Sequence, residues 1–255
     1  MIDIHCHILP GLDDGPREFE QAIEMCRMAR EDGITHTVAT PHANFAFEFS
    51  PQKIRETLEL LRSRAQVAPT IVTGCDFHLD YDNLQSLYAS PQDYTVNQKS
   101  YLLVEFDSAL VLPHFERLFY DLQAHGIIPI VTHPERNLAI QQQPSLLERM
   151  VEAGAAVQIT AGSLEGRFGR RAESSAKQLV KQNLVHLVAS DAHDTDSRPP
   201  ILSAAYERVK KEFGEGPAQA FFFENPRAVL AGEPLPYLPE PRAQKQKRSW
   251  FDFSS

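Results

Sequence analysis

Residues 2–14 read IDIHCHILPGLDD, a short apolar run that leads into two histidines, His5 and His7. The same spacing recurs near the other end of the chain, where a second apolar run leads into Asp191 and His193. Side chains at positions i and i+2 of a β-strand point to the same face of a sheet. The first and last strands are therefore each predicted to present a pair of potential metal ligands.

Apolar runs of similar length recur between these two stretches and alternate with segments of helical periodicity. The predicted strands are Ile2–His7, His36–Thr40, Thr70–Asp76, Tyr101–Phe106, Ile127–Thr132, Ala156–Thr160 and His186–Ser190. The predicted helices are Phe19–Glu31, Pro51–Gln66, Pro113–Ala124, Ser145–Glu152 and Ala172–Gln182. Parallel strands need long crossover connections, so this alternation predicts an α/β fold with parallel pairing. Seven such units suit a barrel better than a flat sheet, and an open doubly wound sheet is the structural alternative.

The composition is that of an ordinary globular protein, with 42% hydrophobic and 23% charged residues among 255. A formal charge of −9 repels phosphate backbones, so nucleic acid is not expected as a partner. Cys6, Cys26 and Cys75 form no C-x-x-C pair, which argues against a disulfide framework and for a reducing compartment. The sequence has neither a secretory leader nor a run of about 18 apolar residues. We therefore expect a cytoplasmic protein without membrane insertion.

The last part of the chain differs in composition. Residues 233–241 read EPLPYLPEP. A basic stretch, QKQKR, comes after them and precedes the final residues SWFDFSS. Proline-rich sequence favours an extended segment, so we predict a folded domain over residues 1–232 and a flexible tail over 233–255. The alternative is that Trp250, Phe251 and Phe253 dock on a neighbour or partner.

Potential ligands also end the strands between the first and the last. His42 follows VATP, Asp76 follows IVTGC, Glu105 follows YLLV and His133 follows IPIVT. In a barrel, the carboxyl ends of the strands meet at one rim, where such folds place their chemistry. Asp13 and Asp14 lie in the loop after the first strand and can reach the same rim. Burying this many imidazoles and carboxylates together is costly without a cation, so the sequence predicts a metal site.

Mixed nitrogen and oxygen ligands suit zinc, manganese or ferrous iron better than magnesium or calcium. The other histidines are expected to be solvated or locally hydrogen-bonded. His36 and His186 fall at strand starts, away from the rim, and His114 and His125 bracket a predicted helix. His78 lies two residues after Asp76, and for this histidine both interpretations stay open.

Two arginines follow predicted ligands closely. Arg136 occurs in THPERN and Arg198 in SDAHDTDSRPP. A guanidinium offers a fork of donors that matches phosphate oxygens, so the pair is predicted to bind an anion next to the metals. Residues 162–175 read GSLEGRFGRRAESS and contain Arg167, Arg170 and Arg171. This segment is either a solvated basic loop or a contact for acidic or phosphorylated protein segments.

These stretches together resemble a known family. DIHCHILPGLDDG, VATPH, VEF, THPERN, SDAHDTDSRPP and ENPRAVLAG occur in the order and spacing of the polymerase-and-histidinol-phosphatase (PHP) superfamily. Within it, they are similar to the bacterial manganese-dependent protein-tyrosine phosphatases of capsule and exopolysaccharide operons. The resemblance runs from Ile2 to about Leu230. It implies a distorted, TIM-like (β/α)7 barrel of the PHP type with three divalent metals at the carboxyl-terminal rim.

The resemblance also implies a ligand set. One metal would be held by His5, His7, Asp76 and Asp191, a second by Asp76, Glu105 and His133, and a third by Asp14, His42 and His193. Manganese is the expected metal, with iron or zinc as alternatives. Asp76 departs from the family, which usually has glutamate there, and the shorter side chain predicts a tighter, water-assisted or weaker bridge. Arg136, Arg198, His133 and Asp191 are the expected catalytic residues.

The expected reaction is hydrolysis of a phosphate monoester by in-line attack of a metal-bridging hydroxide, with the two arginines holding the phosphoryl oxygens. No cysteine is followed six residues later by arginine, so a cysteinyl-phosphate mechanism is not expected. The resemblance implies a bacterial tyrosine kinase as phosphotyrosine substrate. Two alternatives stay open, namely a phosphatase for small molecules such as histidinol phosphate and a non-catalytic phosphotyrosine-binding partner. The oligomeric state is also open.

Overall fold

The computed structural model describes residues 1–241, without the side chains of Tyr81 and Asp82. The predicted aromatic contacts of Trp250, Phe251 and Phe253 lie outside the described residues. Within residues 1–241, no helix has both the length and the apolar character that a bilayer crossing requires.

The strands confirm the predicted pattern, except that the predicted strand Thr70–Asp76 is divided in two and a short strand, His42–Ala43, follows the predicted His36–Thr40. They are β1 (Ile2–Cys6), β2 (His36–Ala39), β3 (His42–Ala43), β4 (Thr70–Thr73), β5 (Asp76–His78), β6 (Tyr101–Glu105), β7 (Ile128–Thr132), β8 (Ala156–Thr160) and β9 (Leu187–Ala189). The predicted strand over residues 70–76 is divided because Gly74 lies close against the neighbouring strand. A Cβ atom added to Gly74 would lie 2.8 Å from the Val38 side chain.

All strand pairs are parallel and form two sheets. One has the order β1-β2-β4, and the other has the order β3-β5-β6-β7-β8-β9. A parallel bridge joins Cys6 to Ala192, so the end of β1 also lies beside the segment that follows β9. The predicted α/β class and parallel pairing are confirmed.

The helices include the five that the periodicity predicts. They are α1 (Phe19–Glu31), α2 (Pro51–Arg64), α3 (Tyr81–Ala89), α4 (Phe115–Ala124), α5 (Leu138–Gln142), α6 (Ser145–Glu152), α7 (Ala161–Leu164), α8 (Gly169–Lys181), α9 (Ser203–Phe213), α10 (Glu215–Gln219) and α11 (Asn225–Ala231), with a π-helical turn over Ala220–Glu224. Short 3₁₀ turns cover Pro91–Asp93, Val96–Gln98 and Pro134–Arg136.

Both faces of the sheets are buried, which explains why the strands are continuous apolar runs. In β6, Leu102 and Val104 join the large cluster under the helices, whereas Tyr101 and Leu103 join a second cluster that Val229 of α11 covers. The apolar packing against α11 thus lies away from the carboxyl ends of the strands, which carry the polar side chains.

Residues 233–241 have no helix or strand, but they pack against the fold. The Tyr237 N–H donates to Asn225 Oδ1 over 3.0 Å, and the Tyr101 hydroxyl donates to the Glu233 carbonyl over 2.8 Å. Leu235 is buried in the second cluster. The separation of a flexible tail at residue 233 stays a prediction, and these contacts connect its first residues to the rest of the molecule.

Candidate metal centre

His5 and His7 face each other through their Nε2 atoms, which are 3.2 Å apart. On the other side of each ring, Nδ1 has an oxygen partner: Gln158 Oε1 at 2.9 Å from His5 and Asp13 Oδ2 at 2.6 Å from His7. If both Nδ1–H groups donate to these oxygens, both neutral rings carry a lone pair on Nε2. Two lone pairs at this distance need a cation between or beside them, so the arrangement suits metal ligation.

The surroundings give these two histidines opposite pKa shifts. Burial lowers the pKa of His5, but the nearby carboxylates of Asp76 and Asp191 outweigh it and raise this pKa to about 9. Burial also lowers the pKa of His7, and Asp13 opposes this only in part, so the value falls to about 4. His5 therefore lies in a field that attracts positive charge, while His7 is a neutral donor of a lone pair.

Asp76 begins β5 and is completely buried. Among the residues that the structure describes, no group donates a hydrogen bond to either of its carboxylate oxygens. Its Oδ2 lies 3.4 Å from His5 Nε2 and 3.3 Å from His42 Nδ1. A buried carboxylate without donors requires a positive partner, which a metal ion shared between these histidines would supply.

A second group of potential ligands lies near the opening of the cavity. His193 Nε2 is 3.2 Å from Asp14 Oδ1, and His42 Nε2 is 3.4 Å from the same oxygen. Both histidines favour the charged form of Asp14, so its pKa lies well below the ordinary value although burial raises it. Asp14 is half exposed, in contrast to the buried Asp76.

Glu105 and His133 complete the rim on the other side. Glu105 ends β6. Its Oε1 lies 3.5 Å from His133 Nε2, and its Oε2 lies 3.5 Å from His42 Nδ1. His133 follows β7 and Asp191 follows β9, both with a positive φ, of 35° and 52° respectively. This conformation is uncommon for residues other than glycine and costs energy, and it turns both side chains at the ends of their strands.

The structure brings seven of the nine sequence-predicted ligands together in three sets, and the other two, His133 and Asp191, lie beside Glu105 (3.5 Å) and His5 (3.4 Å). Three sets of side chains offer ligand atoms within 4.8 Å of one another: His7, Asp14, His42 and His193; His5, His7 and Asp76; and His42, Asp76 and Glu105. His7 and His42 each belong to two sets, whereas the family resemblance assigns each of them to one metal.

The two predicted anion-binding arginines meet at one carboxylate oxygen. Arg136 Nη2 and Arg198 Nη2 each lie 2.7 Å from Asp191 Oδ2. Burial raises the pKa of Asp191, but Arg136, His5 and Arg198 more than offset this and hold it well below its ordinary value. The other oxygen of Asp191 lies 3.4 Å from His5 Nε2, so this residue connects the arginines to the histidines.

The site opens into a cavity of about 340 Å³. Its polar wall carries both arginines and seven of the nine predicted ligands, without His5 and His7, and its apolar wall includes Phe106, Val131 and Ile140. A cavity with charged groups at its base and an apolar side fits an anionic group attached to a flat hydrocarbon ring.

The remaining histidines lie apart from this centre. The Val157 N–H donates to Nδ1 of the buried His186 over 3.2 Å, and His125 Nδ1 donates to the Asp121 carbonyl over 2.8 Å. His36 and His114 are also absent from the three ligand sets, and so is His78, the histidine left open by the sequence. Within residues 1–241, none of these five histidines belongs to a ligand set.

Several residues of the site do not follow from the sequence pattern. Gln158 is the one amide side chain in the strand AVQIT, where the sequence shows no other sign of its role. Asp3 fixes the end of β9 because the Ser190 N–H donates to its Oδ1 over 2.9 Å. Phe168 stacks on Arg136 and Arg198, with the guanidinium carbons 4.6 and 5.8 Å from the ring centroid.

Over residues 1–231, the sequence matches the family described as capsular polysaccharide synthesis, CpsB/CapC. The chain belongs to the CpsB/CapC family. It is 38% identical to the tyrosine-protein phosphatase YwqE of Bacillus subtilis, over 99% of this chain and 100% of that protein. It is 30% identical to the tyrosine-protein phosphatase CpsB of Streptococcus pneumoniae, over 90% of this chain and 98% of that protein.

The structural comparison agrees with this membership. The chain superimposes on a crystal structure from work on YwqE and CpsB, described as metal-dependent tyrosine phosphatases, with a TM-score of 0.87 and 38% identity. The alignment covers 96% of this chain and 100% of that one. A lactonase from Listeria monocytogenes gives a TM-score of 0.56 at 12% identity, which shows a shared fold only. CpsB/CapC members therefore share their architecture with more distant hydrolases.

Proposed function

We propose that this chain is a metal-dependent protein-tyrosine phosphatase whose substrate is a bacterial tyrosine kinase that regulates capsule or exopolysaccharide synthesis. One observation carries the proposal: Asp191 lies between the potential metal ligand His5, 3.4 Å from one of its oxygens, and the two arginines, each 2.7 Å from the other. The names of the CpsB/CapC relatives support a phosphotyrosine protein as substrate.

The proposed ligand assignment follows the family resemblance. His5, His7, Asp76 and Asp191 would hold one metal, Asp76, Glu105 and His133 a second, and Asp14, His42 and His193 a third. Manganese is our proposal for the metal, with iron or zinc as alternatives. The buried carboxylate of Asp76 and the facing Nε2 atoms of His5 and His7 fit this assignment, since both need a cation.

Bound metals of this kind supply a nucleophilic water at neutral pH and offset the charge of the phosphoryl group. Arg136 and Arg198 offer fork-shaped donors to the phosphoryl oxygens. Phe106 and Ile140 flank the tyrosine ring on the apolar wall of the cavity. Tyrosinate is a good leaving group, because the pKa of its conjugate acid is about 10, and the reaction needs limited help from an acid.

The three cysteines offer no alternative nucleophile. All are buried and unpaired. Burial raises the pKa of Cys26 to about 12 and raises those of Cys6 and Cys75 well above the ordinary thiol value. A thiolate is the reactive form of cysteine, so these thiols are inert at neutral pH. Unpaired cysteines also support our proposal that the protein works in the cytoplasm.

We further infer that the strands close into a distorted (β/α)7 barrel, with a catalytic domain over residues 1–232. In this count, β2 and β3 together form one of the seven strands of the barrel, and β4 and β5 together form another. The bridge from Cys6 to Ala192 and the hydrogen bond from the His7 N–H to the Ala192 carbonyl (2.8 Å) support closure beside β9.

The test compares substrates and inhibitors on the purified protein. We expect phosphate release from a phosphotyrosine peptide with added manganese, its loss with a chelator and its survival after thiol alkylation. Sensitivity to alkylation with resistance to chelation would refute the metal mechanism. Faster hydrolysis of histidinol phosphate would favour the small-molecule alternative, and phosphotyrosine binding without release would favour a non-catalytic role.

A further inference from the structure

Phe168 connects the two arginines of the site, although it belongs to neither of their loops. Arg136 lies on the turn Pro134–Arg136 after β7, and Arg198 lies in the loop after β9. Phe168 comes from the segment between α7 and α8. Its ring centroid is 4.6 Å from the guanidinium carbon of Arg136 and 5.8 Å from that of Arg198. Both distances lie within the range of a cation–π contact.

The segment that carries Phe168 is anchored to the same turn as Arg136. Glu135, the neighbour of Arg136, is completely buried, and its Oε1 accepts hydrogen bonds from the Thr160 N–H (3.0 Å) and the Ser163 hydroxyl (2.6 Å). Thr160 ends β8 and Ser163 lies in α7, directly before the segment that carries Phe168. The position of the ring is thus fixed relative to the arginine on which it stacks.

Close packing also restricts the ring. A Cβ atom added to Gly162 would lie 3.1 Å from an edge atom of the Phe168 ring and 3.2 Å from Cδ of Arg167. Phe168 is half-buried, and a small cavity beside it is lined by Gly162, Arg198 and Pro199. The ring therefore has little room to turn away from the guanidiniums.

The two guanidiniums lie at one carboxylate oxygen and repel each other. Each is the end of a flexible arginine side chain, which loses conformational freedom when it binds a phosphoryl group. A shared aromatic face attracts both cations and reduces the number of rotamers that they sample. Ordering the donors before the phosphoryl group arrives favours its binding.

We propose that Phe168 is a positioning residue that preorganises Arg136 and Arg198 for a phosphoryl group. The proposal deepens the proposed function and rests on it for the identity of the substrate. Phe168 acts through the arginines and leaves the metal ligands unaffected. Its loss should therefore weaken the binding of phosphate without changing the metal content.

The test replaces Phe168 by leucine, which keeps an apolar side chain but removes the aromatic face. We expect the inhibition constant of inorganic phosphate and the KM for a phosphotyrosine peptide to rise about five- to tenfold. Bound metal, measured by atomic emission, and the melting temperature should stay unchanged. Phe168→Tyr, which restores the aromatic face, should return both constants to within twofold of the wild type.

A matched control is Phe19→Leu, since Phe19 stacks on Arg64 at 4.2 Å and neither residue lines the cavity. This variant should leave both constants unchanged. Equal constants for Phe168→Leu and the wild type, or a loss of metal in Phe168→Leu, would overturn the proposal. If Phe168→Leu does not fold, Phe168→Met replaces it.

Titration calorimetry with inorganic phosphate separates this proposal from the proposed function. If the wild type binds phosphate and does not hydrolyse the peptide, the proposed function fails, and the phosphate affinities of the Phe168 variants still decide the role of the ring. If the wild type hydrolyses the peptide and Phe168→Leu binds phosphate equally well, the role of Phe168 fails alone.

Discussion

Asp13 Oδ2 lies 2.6 Å from Nδ1 of His7 and also accepts a hydrogen bond from the His42 N–H over 3.2 Å. One buried carboxylate thus orients a histidine of the first strand and the start of β3. A carboxylate on Nδ1 fixes the ring so that Nε2 is free for a metal, and it makes that nitrogen a stronger donor. Because its Oδ2 already faces these two nitrogens, we infer that Asp13 supports the ligands from behind.

Asp13→Asn should weaken metal binding without abolishing it. Asparagine keeps an oxygen acceptor but loses the negative charge that polarises His7. Changes of this kind typically cost about ten- to a hundredfold in metal affinity. We expect activity to fall at limiting manganese and to recover with excess metal. Asp93→Asn, a change in a surface acid paired with Arg55, is the control. A metal titration curve that Asp13→Asn leaves unchanged would contradict the supporting role.

Asp76→Asn should remove bound metal from the centre. The residue lies between His5 and His42, is completely buried and receives no hydrogen bond from the described residues. Without its charge, the centre loses a carboxylate that lies within 3.4 Å of both histidines. We expect at least one metal equivalent fewer per chain by atomic emission, together with loss of phosphatase activity. An unchanged metal count would show that Asp76 is not a ligand.

His133→Ala should lower turnover by orders of magnitude. His133 Nε2 lies 3.5 Å from Glu105 Oε1, and its backbone has the strained φ of 35° that turns it at the end of β7. His125→Ala is a suitable control, because the exposed His125 ring contacts the Asp121 carbonyl and the Tyr88 ring, away from the ligand sets. The measurement is kcat on a phosphotyrosine peptide at saturating metal. A kcat near that of the wild type would remove His133 from the site.

The position of the site could be predicted because each ligand ends a readable apolar run. His5 lies near the end of β1, Glu105 ends β6 and His133 follows β7, and each of these strands has five residues. The parallel α/β class then places their carboxyl ends together. Partners that depend on contacts between distant elements could not be predicted: Gln158 meets His5 across 153 positions, and nothing near either residue marks this contact.

The elements after Ser190 could not be predicted either. The π-helical turn over Ala220–Glu224 reads AFFFE, an aromatic run without the alternation of polar and apolar residues that marks a surface helix. Tertiary packing decides its conformation, since Phe221 and Phe222 are buried in the large apolar cluster. Phe168 was missed for a related reason: one aromatic residue within a basic loop has no periodicity that could reveal its stacking on two arginines.

Arg136→Lys should impair phosphoryl binding and catalysis while keeping the metals. Lysine retains the charge but loses the planar fork of donors and the stacking surface for Phe168. Removing a donor that stabilises transition-state charge typically costs about a hundred- to a thousandfold in kcat. We expect a comparable fall in kcat/KM on a phosphotyrosine peptide. Arg149→Lys, a change in a surface arginine paired with Glu116, is the control, and equal effects of the two changes would contradict the assignment.

His186 should make the fold sensitive to acid independently of the metal centre. The residue is buried below the start of β9, and burial lowers its pKa to about 4 from an ordinary value near 6.5. The unfolded chain therefore takes up a proton between pH 6.5 and pH 4 that the folded protein rejects. Stability is present above pH 6.5 and is lost as the pH falls toward 4, by up to about 3 kcal/mol for this group.

His186→Asn removes the titrating group, and the amide oxygen can replace Nδ1 as acceptor for the Val157 N–H. We expect this variant to be less stable at pH 7, because a smaller side chain leaves a cavity, but to lose less stability on acidification than the wild type. Urea unfolding of chelated protein at pH 7 and pH 4.5 measures both effects, and His36→Asn, a change at a partly exposed histidine, is the control. Equal losses in His186→Asn and the wild type would show that His186 takes up a proton as readily in the folded protein as in the unfolded chain, and the hydrogen bond from the Val157 N–H to its Nδ1 would then have to break.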